Sequence, residues 1–338
     1  MATPLVSNGF ECQSWAILAG LGWTYNSAAG AEPVPTTTAA FVHKMAGIGG
    51  VASLYFEDNL LTPSCYPAVA LGASFWLKRS DPTTATGLAI NLKRAANTDQ
   101  VVVNIAHTTG IITIKNPSVV RATSASGIDW SVANWIEIEL LAEQVATGYC
   151  KVFVNGVLMV EWIGDCSVAE EGWSEVEFAS TNGLFYIDDF ALWAAADWAT
   201  NREHVMEIME VSAGGGTFTP SAGTAWEAVE LPLDETKYVK ALGASGAVAD
   251  VYDTTGPAAV GTVLAVALFA GVRSEAEYTV QPGLDKSAVG APDYATAVTG
   301  PAVATATLQA FWGEDPWTAA PWDQAGIDDL QIAIQAGV

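Results

Sequence analysis

The sequence is poor in positive charge. Its 338 residues include only 13 Lys and Arg against 37 Asp and Glu, a formal net charge of −24. So acidic a surface repels the phosphate backbone of nucleic acids and the head groups of anionic lipids. No stretch reaches the roughly 18 to 20 continuous apolar residues of a membrane-spanning helix. We therefore expect no direct nucleic-acid partner and no membrane insertion.

Cysteine is scarce as well. Cys12, Cys65, Cys150 and Cys166 form no C-x-x-C pair and lie far in sequence from the three His, whereas a zinc site needs tighter spacing. We expect no metal or other cofactor and read the cysteines as small buried residues, with a disulfide formed later in an oxidising medium as the alternative. The first ten residues lack a basic segment followed by an apolar core, so we expect synthesis and folding in a cytoplasm.

What the sequence does contain is a series of strand patterns. Residues 135–141 alternate apolar and acidic side chains, as in a strand with one face in water, and residues 151–157 run into Asn155-Gly156, a strong hairpin signal. Residues 185–193 place two aspartates between aromatic residues. Regularly spaced strands between turn signals predict a β-sandwich or barrel. The other strands predicted up to residue 197 are 70–77, 87–92, 101–106, 111–114, 149–155, 157–162 and 175–179.

The length and a change of composition predict two domains. We expect a first domain over 1–197, a linker over 198–216 and a smaller β-rich domain over 217–338. Ile327, Leu330 and Ile334 follow helical spacing, with Asp323 as N-cap and Gly337 as the stop, which predicts a short C-terminal helix. Further strands are predicted at 205–211, 238–241, 248–252, 262–268, 276–281 and 302–312.

The first domain resembles the concanavalin-like, laminin-G-like jelly rolls found as modules in tail and appendage proteins of bacterial viruses. The residues that carry the resemblance are the opening 8–11, the central 75–77 and the three strands at 135–141, 151–157 and 185–193. It implies a jelly-roll sandwich. The C-terminal part resembles a small domain frequent in phage virion proteins, through residues 251–255, 314–318, Trp322 and 327–337. Together they imply an all-β chain that ends on a short α-helix.

Glu137 and Glu139 are the sharpest catalytic candidates, with Glu143 beyond them. Jelly-roll glycosidases place two or three carboxylates at alternating positions of one strand, one as nucleophile and one as acid/base. Here a Glu replaces the central Asp of that pattern, and alternation is also what any half-buried antiparallel strand shows. We favour the structural interpretation and expect no catalytic residue and no enzyme.

Two groups of residues are candidates for binding. Asp188 and Asp189 are predicted to lie at the rim of the jelly roll, where they would contact a glycan or Ca²⁺, or simply cap a loop. Trp312, Trp317 and Trp322 crowd the C-terminus, and we predict that a neighbouring subunit packs there. Most tryptophans of both domains should fill the cores.

The function that these resemblances imply is structural. We expect an external appendage subunit of a bacteriophage particle, at the tail, neck or head surface, acting by assembly with other virion proteins. Such a subunit would be a homo-oligomer, a trimer or a ring. The alternative is a module of the same particle that binds a host surface glycan, and a glycosidase is the third hypothesis.

Overall fold

The structure is a computed structural model, and the residues that it describes fall into two compact units, the first mainly within 22–206 and the second within 207–338. Both are built almost entirely of antiparallel strands, so the chain is all-β as predicted. The described residues are 6–8, 23–26, 34–36, 53–56, 59–62, 70–79, 87–94, 98–116, 118–129, 135–143, 145–166, 172–180, 185–195, 210–215, 217–221, 223–224, 239–240, 248–255, 263, 265–273, 278–287, 289–300 and 305–337.

The first unit is a jelly-roll sandwich of two antiparallel sheets. Sheet I runs in the order β13-β12-β11-β6-β15-β4-β3, with β1 also paired to β15, and sheet II runs β10-β9-β8-β7-β14-β5-β2. The strands are β1 (Val6–Asn8), β2 (Thr24–Asn26), β3 (Val34–Thr36), β4 (Ser53–Phe56), β5 (Asn59–Leu61), β6 (Ala70–Arg79), β7 (Leu88–Arg94), β8 (Thr98–Ile105), β9 (Ile112–Asn116), β10 (Val119–Thr123), β11 (Ile136–Glu143), β12 (Tyr149–Val154), β13 (Val157–Ile163), β14 (Glu175–Ser180) and β15 (Phe185–Ala194).

Aromatic side chains from both sheets meet in the core of the sandwich. The Phe75 ring of sheet I lies 4.9 Å from the Phe178 ring of sheet II, edge to face, and Phe190 lies 5.9 Å from Phe178. Phe56 packs on Phe178 at 6.1 Å and Trp23 on Phe190 at 5.5 Å. All five side chains are buried. The four phenylalanines point into the core because alternate side chains of a strand lie on one face, and Trp23 directly precedes β2.

The predicted hairpin at Asn155-Gly156 is confirmed. It joins β12 to β13, and both residues have left-handed backbone conformations, with φ of 48° and 74°. This pair of angles is the type I′ turn that matches strand twist, and Asn and Gly adopt it most readily. The Asn155 side chain also accepts a hydrogen bond from the Glu137 N–H at 3.0 Å, which ties the turn to β11.

The second unit contains a six-stranded sheet in the order β16-β19-β25-β21-β22, with β23 paired to β21, and two separate strand pairs, β17-β18 and β20-β24. Its core is a cluster around Leu268, Leu284, Trp312, Trp322 and Ile327. The elements are β16 (Glu210–Gly214), β17 (Thr219–Pro220), β18 (Val239–Lys240), β19 (Val248–Thr255), β20 (Val266–Arg273), β21 (Tyr278–Lys286), β22 (Val289–Tyr294), β23 (Val298–Gly300), β24 (Thr305–Trp312), helix α1 (Gln324–Asp328) and β25 (Leu330–Ala336).

The C-terminal helix is present but shorter than the spacing predicts. Asp323 is its N-cap and accepts a hydrogen bond from the Gly326 N–H at 2.7 Å, as expected. The helix ends at Asp328, and Leu330–Ala336 forms β25 in the middle of the six-stranded sheet. The prediction of helix through Ile334 with Gly337 as its stop was therefore wrong, because pairing with β19 and β21 determines the structure of this segment.

The predicted domain limits at 197 and 216 stay predictions, and β16 lies within the segment predicted as the linker. Among the described residues, no helix has the length and apolar character needed to cross a membrane. Cys150 and Cys166 are buried free thiols, while Cys12 and Cys65 lie outside the described residues. Burial raises the pKa of both described thiols, that of Cys166 to about 12.

Phe178→Ala should be the most revealing core substitution in the first unit, because Phe178 contacts aromatic rings from three strands of sheet I. We expect the free energy of unfolding to fall by about 3–5 kcal/mol, as for other buried Phe→Ala changes. Urea unfolding followed by circular dichroism measures it. The control is Val145→Ala in an exposed turn, which should change stability by less than about 0.5 kcal/mol. Equal effects of the two substitutions would contradict the assigned core.

Candidate functional site

Glu137 and Glu139 lie on β11 as predicted, and their side chains share the outer face of sheet I. Glu137 is opposite Trp76, and Glu139 is opposite Ser74. The expectation that this face is wet was wrong, because only 4% of Glu137 and none of Glu139 is exposed. A glycosidase needs its carboxylates in a cleft that the sugar enters. The burial favours the structural interpretation of these glutamates.

Asp188 and Asp189 do not lie at a rim. Both are fully buried in β15, at a bulge where the pairing with β6 shifts register between Asp188 and Ala191. Asp189 has a left-handed backbone with φ of 47°, and its N–H donates to the Asp188 carboxylate at 2.9 Å. The bulge adds one residue to β15 relative to β6, and the Asp188 carboxylate binds the Asp189 N–H within it. Since neither side chain reaches solvent, the pair does not form the exposed rim that was predicted, and calcium binding by it stays a prediction.

Trp76 stands between these acidic residues. Its neighbour on one side is Glu137 and its neighbour on the other is Asp188, so three strands bring the groups together on one face. Two residues further along β6, Lys78 lies opposite Tyr186 of β15. Burial lowers the pKa of the Lys78 ammonium and raises the pKa of the Tyr186 hydroxyl. In the described part of the chain, no group of three His, Cys, Asp or Glu side chains is placed to hold a metal ion.

The outer face of sheet II is different, because it is only partly covered. At its centre, the Lys93 ammonium on β7 lies 3.0 Å from the Glu177 carboxylate on β14. The Asn91 amide donates to the same carboxylate oxygen at 2.8 Å. This arrangement neutralises Glu177 and fixes both strands in register. The Asn91 amide nitrogen, the Lys93 ammonium and the Glu177 carboxylate are therefore occupied in holding the sheet.

Beside this network lies a groove of about 420 Å³. Its floor crosses the sheet along one row of opposed residues, Ala179, Ala89, Asn104 and Thr113, on β14, β7, β8 and β9. Gly87 and Ala106 line the groove as well. A Cβ at Gly87 would lie only 2.3 Å from the Ile105 carbonyl oxygen, so glycine is required for the close approach of the two strands there. The small side chains leave the space that the groove occupies.

Asn104 and Thr113 are the polar groups of the groove. They are directly opposite one another on neighbouring strands, and both are half-buried. Over the described ranges of the chain, neither side chain makes a hydrogen bond to protein. An amide offers donors and an acceptor, and a hydroxyl offers both, so the pair can bind a ligand that carries hydroxyl groups.

Sequence reasoning missed this pair. Asn104 and Thr113 alternate with the buried residues Val103, Ile105, Ile112 and Ile114, so the sequence places them on an outer face. The same alternation holds for Glu137 and Glu139, whose outer face is covered. Periodicity shows which residues share a face but not which face remains open, and only the structure distinguishes the two sheets.

The C-terminal tryptophans are mostly core residues. Trp312 and Trp322 are buried, and their indole N–H groups donate to the Asp293 carboxylate at 2.7 Å and to the Trp312 carbonyl at 2.9 Å. The prediction that a partner packs on these two rings was wrong, because the small unit needs them to fill its interior. Trp317 is half-buried, and its role in partner binding stays a prediction.

A buried ion pair supports this cluster. The Lys286 ammonium lies 2.5 Å from the Asp315 carboxylate and 5.1 and 5.6 Å from the ring centroids of Trp317 and Trp322. Burial alone would raise the pKa of Asp315, but hydrogen bonds from Lys286 and from the Trp317 N–H hold it below its ordinary value. Asp315 also closes the 315–320 turn through a backbone hydrogen bond to Ala320.

Lys93→Met tests whether the ion pair holds the groove sheet together. The substitution leaves the Glu177 carboxylate nearly buried without its cation, so we expect a loss of about 2–3 kcal/mol in the free energy of unfolding. The matched control is Lys151→Met, which removes a cation paired with Glu161 at 2.8 Å where both side chains are about one-third exposed. It should cost less than about 1 kcal/mol. Urea unfolding compares the two, and equal losses would contradict the assigned role.

Asp315 should make the stability of the second unit depend on acid. Its folded pKa is depressed, so its contribution is full above the ordinary aspartate value of 3.8 and is lost as pH falls through the lower folded value. We expect Asp315→Asn to lower the melting temperature at pH 7 and to flatten its decline below pH 4. Asp329→Asn, at an exposed position, is the control. An unchanged acid decline in Asp315→Asn would rule out this linkage.

No protein-family model matches the chain. No curated protein matches it either. Among solved structures, an endo-β-1,4-glucuronan lyase from the fungus Trichoderma reesei is similar at 12% identity and a TM-score of 0.39, over 51% of this chain and 91% of that one. A protein of unknown function with a galectin-like fold from Bacillus subtilis is similar at 11% identity and a TM-score of 0.37, over 57% of this chain and 98% of that one. A carbohydrate-binding module from the same organism is similar at 13% identity and a TM-score of 0.35, over 51% of this chain and 96% of that one. With TM-scores below 0.5, these similarities carry no argument, and the fold assignment rests on the strand order.

Proposed function

We propose that the jelly-roll unit binds a neutral glycan in the groove on the outer face of sheet II. The observation that carries the proposal is the Asn104 and Thr113 pair, which faces accessible space with its hydrogen-bonding capacity unused in the described structure. Unused polar groups on a rigid sheet are ready to bind without reorganisation. The groove volume of about 420 Å³ lies within the range of small-molecule sites.

The chemistry of the groove favours hydroxyl groups over charged ones. Asn104 and Thr113 are neutral, and no charged side chain is among the residues that line the groove in the described structure. The net charge of −24 repels an anionic polysaccharide over the whole surface. Sugars present adjacent hydroxyl groups, and one amide can accept from one hydroxyl and donate to the next. The alanine and glycine floor accommodates the apolar face of such a ring.

Glycan binding was the alternative function that the sequence suggested. The residues proposed for it here differ from those predicted. The predicted contacts Asp188 and Asp189 are buried, whereas the groove lies on the opposite sheet. An assembly role in a bacteriophage particle, at its exterior and with other virion proteins, stays a prediction, since neither the described residues nor the comparisons bear on it. The expectation that the chain is not an enzyme likewise stays a prediction.

Binding to neutral oligosaccharides tests the proposal. Isothermal titration calorimetry with gluco-, manno- and galacto-oligosaccharides should show binding by at least one series and none by oligogalacturonate. Thr113→Val and Asn104→Ala should each weaken that binding about fivefold, because each removes a hydrogen bond worth about 1 kcal/mol.

The matched control is Thr123→Val, which makes the same chemical change opposite Thr113 on β10, outside the groove lining. It should leave the dissociation constant unchanged, and circular dichroism should show all variants folded. Two results would overturn the proposal: no binding of any neutral series at millimolar concentration, or equal binding by wild type and Thr113→Val.

A further inference from the structure

Exposed apolar side chains concentrate at one side of the jelly roll. Of the seven large apolar residues that the described part of the chain exposes, five lie on β10 and β13. A contiguous exposed apolar surface marks an interaction site, whereas single exposed apolar residues need no explanation. We call these five residues the edge patch: Val119 and Val120, each 52% exposed, Val157 at 61%, Leu158 at 44% and Ile163 at 69%.

The two strands form one surface although they belong to different sheets. Among the described strands, β10 ends sheet II and β13 ends sheet I, and β13 lies against β9 and β10. The guanidinium of Arg121 on β10 stacks 5.4 Å from the ring of Trp162 on β13, which joins the two edges directly. The two strands that carry the edge patch are therefore in contact with each other.

Both edge strands carry a β-bulge. The register of β10 against β9 shifts between Val120 and Ala122, which leaves Arg121 as the extra residue. The register of β13 against β12 shifts so that Met159 is the extra residue between Leu158 and Val160. Bulges at an edge hinder the addition of another strand. An occupant of the edge patch would thus pack against its side chains rather than extend either sheet.

The charge of these strands differs from that of the chain. Residues 119–123 and 157–163 contain one base, Arg121, and one acid, Glu161, whose carboxylate pairs with Lys151 at 2.8 Å. In the rest of the chain, acidic residues outnumber basic ones threefold. Two copies of so acidic a chain repel each other least where their surfaces are apolar and neutral. A basic partner would prefer the acidic remainder of the surface, and anionic partners are repelled altogether.

We propose that the edge patch is the interface between two copies of this chain. A two-fold arrangement suits it, since each copy then contributes the same apolar surface and none of the net negative charge is buried. This interface is separate from Trp312 and Trp322, whose buried rings fill the second unit. The inference is independent of glycan binding in the groove.

Sedimentation velocity on the full chain between 1 and 100 µM tests the interface. We expect a concentration-dependent species at twice the monomer mass of 35.3 kDa. The double variant Val157→Asp/Ile163→Asp should shift the dissociation constant by at least about a hundredfold, since it places two charges within the apolar contact, one at each end of β13. The double variant Val119→Asp/Val120→Asp, on β10 of sheet II, should weaken the dimer by a similar factor. Agreement between the two variants would show that the loss does not come from a local defect in β13.

The control is Val145→Asp, at an exposed apolar position outside the edge patch, which should dimerise like wild type. Circular dichroism and thermal melting verify that each variant is folded. A chain that remains monomeric at 100 µM would overturn the proposal, and so would a dimer that either double variant leaves intact.

Discussion

The contact between the two sheets of the jelly roll is the constraint on which the rest of the first unit depends. Phe178 of sheet II meets Phe75 and Phe190 of sheet I, and Phe56 and Trp23 close the cluster. Since side chains alternate along a strand, fixing these residues inside fixes every neighbour outside. The positions of Asn104, Thr113, Glu137 and Glu139 on outer faces all follow from which residues face this core.

The two outer faces then differ in what covers them rather than in composition. Both carry carboxylates, an amide or hydroxyl, and a lysine. Sheet I has Glu139 and Asp188 fully buried, while sheet II leaves Asn104 and Thr113 partly open. A buried carboxylate must be satisfied within the protein, which makes it part of the structure, whereas an accessible amide without a protein partner is free to bind. The less polar outer face of sheet II therefore offers the groups that can bind a ligand, because Asn104 and Thr113 make no hydrogen bond within the described protein.

The sequence predicted most central strands closely, because their apolar residues alternate. Residues 70–77 correspond to β6 and 157–162 to β13. It missed β10, whose exposed Val-Val-Arg-Ala-Thr segment has no alternation. It read Leu330 and Ile334 as helical, although Leu330, Ile332 and Ile334 also fit a period of two, and pairing with two neighbouring strands decided the outcome. The groove escaped prediction because it depends on how several strands align.

The groove and the edge patch complement each other energetically. Small side chains form the groove floor, and in the described lining no aromatic ring is present to stack on a sugar, so one groove should bind weakly. Two grooves in one dimer would raise the apparent affinity for a polymer that reaches both, without any new contact to the sugar. Weak binding in each groove would then be sufficient, because a repeating polysaccharide offers many equivalent sugar rings to both grooves. The net charge of −24 would keep such dimers apart from each other and from anionic polymers, because like charges repel. It would leave the neutral groove and the edge patch available.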